Sequence, residues 1–67
     1  MESIRVSAQD MVNSLLASGF TEGSLAKEVG TSQPTIHRIK KGSEPSYTLG
    51  KTIESIYMSS GEVVVNG

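Results

Sequence analysis

The sequence predicts a mainly all-α fold: one compact four-helix domain spanning residues 1–67, with a short β-strand near its C-terminal end. Three observations predict it. Apolar residues recur at three- and four-residue spacing in four separate stretches, which is the period of a helix with one buried face. Each stretch is preceded by Ser or Thr and followed within three residues by Gly, the residue types that start and stop helices. Sixty-seven residues leave room for one small core and no second one.

The first helix is expected at about 7–18. Ser7 offers a hydroxyl to an early backbone N–H, and Ala8, Met11, Val12, Leu15 and Leu16 form one apolar stripe. Gly19 follows the last periodic residue, where a left-handed backbone ends a helix. The second helix, about 22–29, is capped by Thr21 and carries Glu22 at the positive end of its dipole. Leu25, Ala26 and Val29 face inward, and Gly30 stops it. So short a helix must be held by packing.

Thr31 or Ser32 caps the third helix, about 32–40. Pro34 falls in the first turn, where its missing N–H has no intrahelical partner to lose. Ile36 and Ile39 point inward. Gln33, Thr35, His37, Arg38 and Lys40 are left to the outer faces. Lys41-Gly42-Ser43-Glu44-Pro45 reads as a loop. Ser46 caps a fourth helix, about 46–58, with Leu49, Ile53, Ile56 and Tyr57 on one side. Gly50 within it is expected to weaken the helix and to permit a close approach of a neighbouring helix. In the tail, 59–67, Ser59-Ser60-Gly61 is a turn and Glu62-Val63-Val64-Val65 has strand composition. Ile4–Val6 or a second copy's tail is its expected partner, since a lone strand is marginal.

Composition narrows the function class. Hydrophobic residues make up 36% of the chain and charged residues 19%, which suits a globular chain. Cysteine is absent, so disulfides and cysteine-ligated metal sites are excluded. The longest apolar run, Val63-Val64-Val65, is far short of a membrane span, and the N-terminus lacks signal-peptide order. A cytoplasmic protein with no membrane partner is therefore expected.

Net charge is −1, but its distribution is uneven. Residues 31–52 hold Arg38, Lys40, Lys41 and Lys51 against Glu44 alone. Acids outnumber bases on both sides of that segment, so the positive charge sits in one third of the chain.

Thr21 to Lys40 forms the informative constellation. Ala26 supplies the small side chain needed where two helices cross closely, and Gly30 the positive φ of the turn. Ile36 and Ile39 pack the next helix back onto Leu25 and Val29. This spacing, with Thr21-Glu22-Gly23-Ser24-Leu25-Ala26, Val29-Gly30-Thr31-Ser32-Gln33 and Thr35-Ile36-His37-Arg38-Ile39, resembles the helix-turn-helix proteins of the phage Cro and repressor type. The resemblance covers roughly residues 7–58 and includes the Lys40-Lys41-Gly42 exit. Two departures stand out. Glu22 occupies a position where Gln is frequent in the family, and the Val63–Val65 tail replaces a final helix.

The resemblance implies a lambda-repressor-like domain with the third helix in the DNA major groove and the second across the backbone. Candidate base contacts are then Gln33, Pro34, His37 and Arg38. Gln can pair with adenine N6 and N7, and Arg with guanine O6 and N7. The Pro34 ring can pack on a thymine methyl, and His37 can donate to a guanine or a phosphate. Backbone or auxiliary contacts fall to Ser32, Thr35, Lys40, Lys41, Ser43, Ser46, Lys27 and Lys51. Arg38 has a simpler alternative, a surface ion pair with Glu28 or Glu44.

No nucleophile stands with a base and an orienting group, and no phosphate-cradling glycine motif occurs, so no enzymatic activity is expected. No cofactor, metal or small-molecule ligand is expected either. One reading helix buries too little for tight, specific binding, so a homodimer on a near-palindromic operator is expected. Its interface would use Ile56, Tyr57, Met58, Val63, Val64 and Val65. A second reading stays open: a small helical protein-interaction module, antitoxin-like or regulator-binding, favoured by the net charge and by Glu22.

Overall fold

The computed structural model describes residues 6–59. Four helices follow one another: α1, Ala8–Ala17; α2, Glu22–Val29; α3, Gln33–Lys40; and α4, Tyr47–Ser59. No strand occurs among the described residues. The strand expected at 62–65 and the turn around Gly61 lie outside them, as do Ile4 and Arg5. Val6, its expected partner within the chain, is exposed and unpaired in any strand.

Each helix begins as its sequence dictates. The Ser7 hydroxyl accepts a hydrogen bond from the Asp10 N–H at 3.1 Å, and the Ser46 hydroxyl accepts one from Leu49 at 3.2 Å. Ser32, rather than Thr31, caps α3 and accepts from Thr35 at 3.4 Å. At α2 the cap is reciprocal. Thr21 Oγ1 accepts from the Ser24 N–H at 3.0 Å while Ser24 Oγ accepts from the Thr21 N–H at 2.9 Å. Two donors that the helix leaves unpaired are thereby satisfied.

The helices end as predictably. Thr31 and Gly30 both donate to the Ala26 carbonyl, at 2.9 and 2.8 Å. This folds the chain back at once and needs the left-handed φ of +87° found at Gly30. α3 ends in the same manner, with the Ser43 N–H on the Arg38 carbonyl and Gly42 N–H on that of Ile39.

The core gathers one stripe from each helix: Met11, Val12 and Leu15; Leu25, Ala26 and Val29; Ile36 and Ile39; and Ile53. Ala8, Leu16, Phe20, Leu49, Ile56 and Tyr57 pack around it. α2 packs most extensively on α3, while α1 packs on α4 and α3. Ala26 at the α2–α3 seam is 4% exposed, so the small side chain expected there is enclosed.

Gly50 departs from expectation. A methyl group built there meets Pro45 Cγ, in the preceding loop, at 3.6 Å. That is ordinary contact, and no neighbouring helix approaches closely enough to require glycine.

Candidate nucleic-acid interface

A rigid α3 is the first requirement of any surface-reading site, and its inner side supplies it. Ile36 is fully buried and Ile39 nearly so, which fixes the helix by two branched side chains a turn apart. At 100° per residue, Pro34, His37, Arg38 and the following Lys41 then lie opposite that seam. All four are exposed, as is Gln33 at the helix start. Neither Gln33 nor Arg38 turns into the interior.

The edge of α3 that faces α2 is organised by one carboxylate. Glu22 is the first residue of α2 and shares the i, i+3, i+4, i+7 stripe of Leu25, Ala26 and Val29. It therefore points at α3. Gln33, His37 and Lys40, also at i, i+4 and i+7, meet it. Gln33 Nε2 donates to Glu22 Oε1 at 2.7 Å. His37 Nδ1 and Lys40 Nζ approach Oε2 at 3.2 and 3.1 Å.

An ionised carboxylate can only accept, so the Gln33 amide turns its nitrogen inward and His37 carries a hydrogen on Nδ1. The three donors, with Gln33 the largest contributor and then His37 and Lys40, hold the Glu22 carboxyl well below its ordinary value of 4.5, at about 2. The helix dipole at the start of α2 acts in the same direction. Although hydrogen-bonded on both oxygens, the carboxylate keeps some access to water: its side chain is 19% exposed.

The other cations sort themselves by partner. Lys51 pairs with Glu54 one turn along α4, at 3.1 Å, and this neighbour raises the Lys51 pKa. Lys27, Arg38 and Lys41 are exposed and form no ion pair among the described residues. The expected alternative for Arg38, a pair with Glu28 or Glu44, is not formed.

The hydroxyls are largely engaged. Ser32 and Thr35 hydrogen-bond to each other at 2.9 Å, and Ser46 caps α4. Ser43 is exposed at the α3 exit. On α4, Ile56 and Tyr57 are half-buried against the chain's own core, and Met58 is exposed. Val63, Val64 and Val65, the remainder of the expected dimer surface, lie outside the described residues.

Several contacts had no counterpart in the sequence reading. Gln9 of α1 donates from Nε2 to the Lys40 carbonyl at 3.1 Å, satisfying an orphan group at the end of α3. Glu22, read from sequence as a helix-dipole residue, joins three side chains of α3. The matching i, i+4, i+7 spacing of Gln33, His37 and Lys40 was the available signal.

Among the described residues, no three His, Asp or Glu side chains group as metal ligands would, and no helix is long and apolar enough to cross a membrane. Comparison with protein-family models, with curated proteins and with solved structures returned no match.

Proposed function

We propose that this chain is a sequence-specific double-stranded DNA-binding transcriptional regulator that lays α3 in the major groove. In this reading it is a Cro-like repressor, a homodimer on a near-palindromic operator, which blocks polymerase by occupying its site. The observation that carries the reading is the exposed face of α3. A short helix locked by Ile36 and Ile39 presents Pro34, His37, Arg38 and Lys41 together, with Gln33 at its head and Arg38 unpaired among the described residues. Those side chains supply what base edges require: an amide for adenine, a guanidinium for guanine and an apolar ring for a thymine methyl. Lys27 and Lys41 are suited to phosphates, which orient the protein without reading sequence. The likeness to the phage Cro and repressor type supports the same assignment.

The ion pairs favour a second reading enough to keep it in view. Lys40 and Lys51 are each matched by an acid, which leaves a modest basic surface and suits a protein-interaction module. Binding to an arbitrary duplex at several salt concentrations separates the two. DNA binding with Lys27 and Lys41 on phosphates predicts a log–log salt slope of about −2 per chain, at about 0.9 per phosphate neutralised. No binding, or a flat response, supports the protein-interaction reading.

A further inference from the structure

His37 stands on the exposed face of α3 with one ring nitrogen engaged and the other free. Nδ1 lies 3.2 Å from Glu22 Oε2, while Nε2 makes no hydrogen bond among the described residues. The side chain is 48% exposed. We infer that neutral His37 reads a base as a hydrogen-bond acceptor, selecting an exocyclic amine, and that its protonation reverses this preference in favour of guanine. This inference rests on the DNA-binding reading above.

Hydrogen counting fixes the sense of the contact. A neutral imidazole carries a single N–H, and the bond made by one nitrogen decides what the other can do. An ionised carboxylate offers no hydrogen, so Nδ1 is the donor and Nε2 keeps a bare lone pair. In the major groove a lone acceptor finds its complement on two bases, at cytosine N4 and adenine N6. Guanine and thymine present only acceptors there. The donation to guanine expected of His37 from sequence therefore requires a second hydrogen on the ring.

Protonation supplies it, in the range of about pH 5 to 8 where histidine ordinarily changes charge. The imidazolium keeps its Nδ1–H on Glu22 and gains an Nε2–H, so the same atom turns from acceptor to donor. Guanine, with N7 and O6 side by side, is then the best partner. The surroundings hold their charge meanwhile. Glu22 titrates at about 2, and Lys40 shares its Oε2 with His37. Lys27 and Glu28 of α2, Asp10 of α1 and Glu44 beyond α3 make no ion pair with His37, and α4 does not pack on α3. Arg38 and Lys41 flank it on its own helix, and the chain has one histidine.

Two measurements test it. Nitrogen chemical shifts of the imidazole ring in the free protein, at about pH 8, are expected to place the hydrogen on Nδ1. Titration of single-base variants of a duplex selected at about pH 8, repeated at about pH 5.5, reads the preference itself. The position concerned is the one whose preference His37→Ala abolishes. There the wild type favours cytosine or adenine over guanine by about 2- to 10-fold at the higher pH, the worth of one neutral hydrogen bond. At the lower pH guanine leads cytosine by about 10- to 100-fold, because the new bond is charge-assisted. Glu22→Gln, whose amide can donate to Nδ1 as well as accept, frees the tautomer and flattens the preference at the higher pH.

His37 is exposed, so its replacement leaves the buried core untouched, and circular dichroism of the variant checks that the fold is kept. Three results overturn the inference while leaving DNA binding intact: a hydrogen on Nε2 in the free protein, a preference that does not move with pH, or no position altered by His37→Ala. A wild type that binds no duplex overturns the DNA reading and this inference together.

Discussion

The side-chain amide of Gln33, the first residue of α3, donates a 2.7 Å hydrogen bond to Glu22, the first residue of α2. The two helix starts are thus joined at the surface, above the seam that Leu25, Ala26, Ile36 and Ile39 fill below it. Local caps, buried packing and the exposed face of α3 meet at this point, and each has consequences that can be measured.

Acid should loosen the domain through Glu22. Its carboxyl titrates at about 2 in the folded chain against an ordinary 4.5. A depressed carboxyl stabilises the fold fully above its unfolded value, and the contribution disappears as pH falls through the folded one. The melting temperature of the wild type should therefore decline between about pH 4.5 and 2, more steeply than that of Glu22→Gln. Parallel profiles for the two proteins would show that the three donors do not act on this carboxylate.

Arg38 and Lys41 should differ in kind. Arg38→Ala is expected to cost about 1–3 kcal/mol on the selected duplex and to relax preference at one base position. Lys41→Ala should weaken all duplexes alike and reduce the salt slope by about 1. Binding isotherms on single-base operator variants give both results directly. Identical behaviour of the two mutants would undo the division into base and phosphate contacts.

Two glycines should respond in opposite directions. Gly50→Ala adds a methyl at ordinary contact distance from Pro45 inside a helix, and should stabilise by about 0.5–1 kcal/mol. Gly30→Ala meets no atom within 4 Å, but the backbone there has φ +87°. The cost is conformational alone, about 1–2 kcal/mol. Urea midpoints measured side by side test the sign of each.

Ile36 should be the least tolerant position of α3. Its side chain is 0% exposed, and Ile36→Ala is expected to cost about 2–5 kcal/mol by lost burial and an unfilled cavity. At roughly 0.05–0.15 kcal/mol per residue, a domain of this size has only about 3–10 kcal/mol of stability in total. Ile36→Val, which removes one methylene, should cost about 0.5–1.5 kcal/mol and leave a foldable protein for binding studies.

Most of the fold was legible because the signals are local. Ser7, Thr21, Ser32 and Ser46 cap the helices expected from them, and Gly30 and Gly42 end two in left-handed conformations. The apolar stripes named the buried set, down to Ile53 at the centre of α4. What escaped was non-local. Glu22 looks like a dipole residue until α3 is placed beside it, since its partners lie 11 to 18 residues away. Gln9 is further still from Lys40, 31 positions along the chain, and nothing in either neighbourhood announces the bond. The Ser24 half of the α2 cap was missed for a different reason, because Glu or Gln usually fills that position.

Selection of bound sequences from a random duplex pool tests the central claim most directly. The account predicts enrichment of a near-palindrome whose half-sites are centred about one helical turn, roughly 34 Å, apart. Adenine and guanine should recur where Gln33 and Arg38 reach. Recovery of no common sequence after repeated rounds, at a salt concentration where the fold is intact, would contradict it.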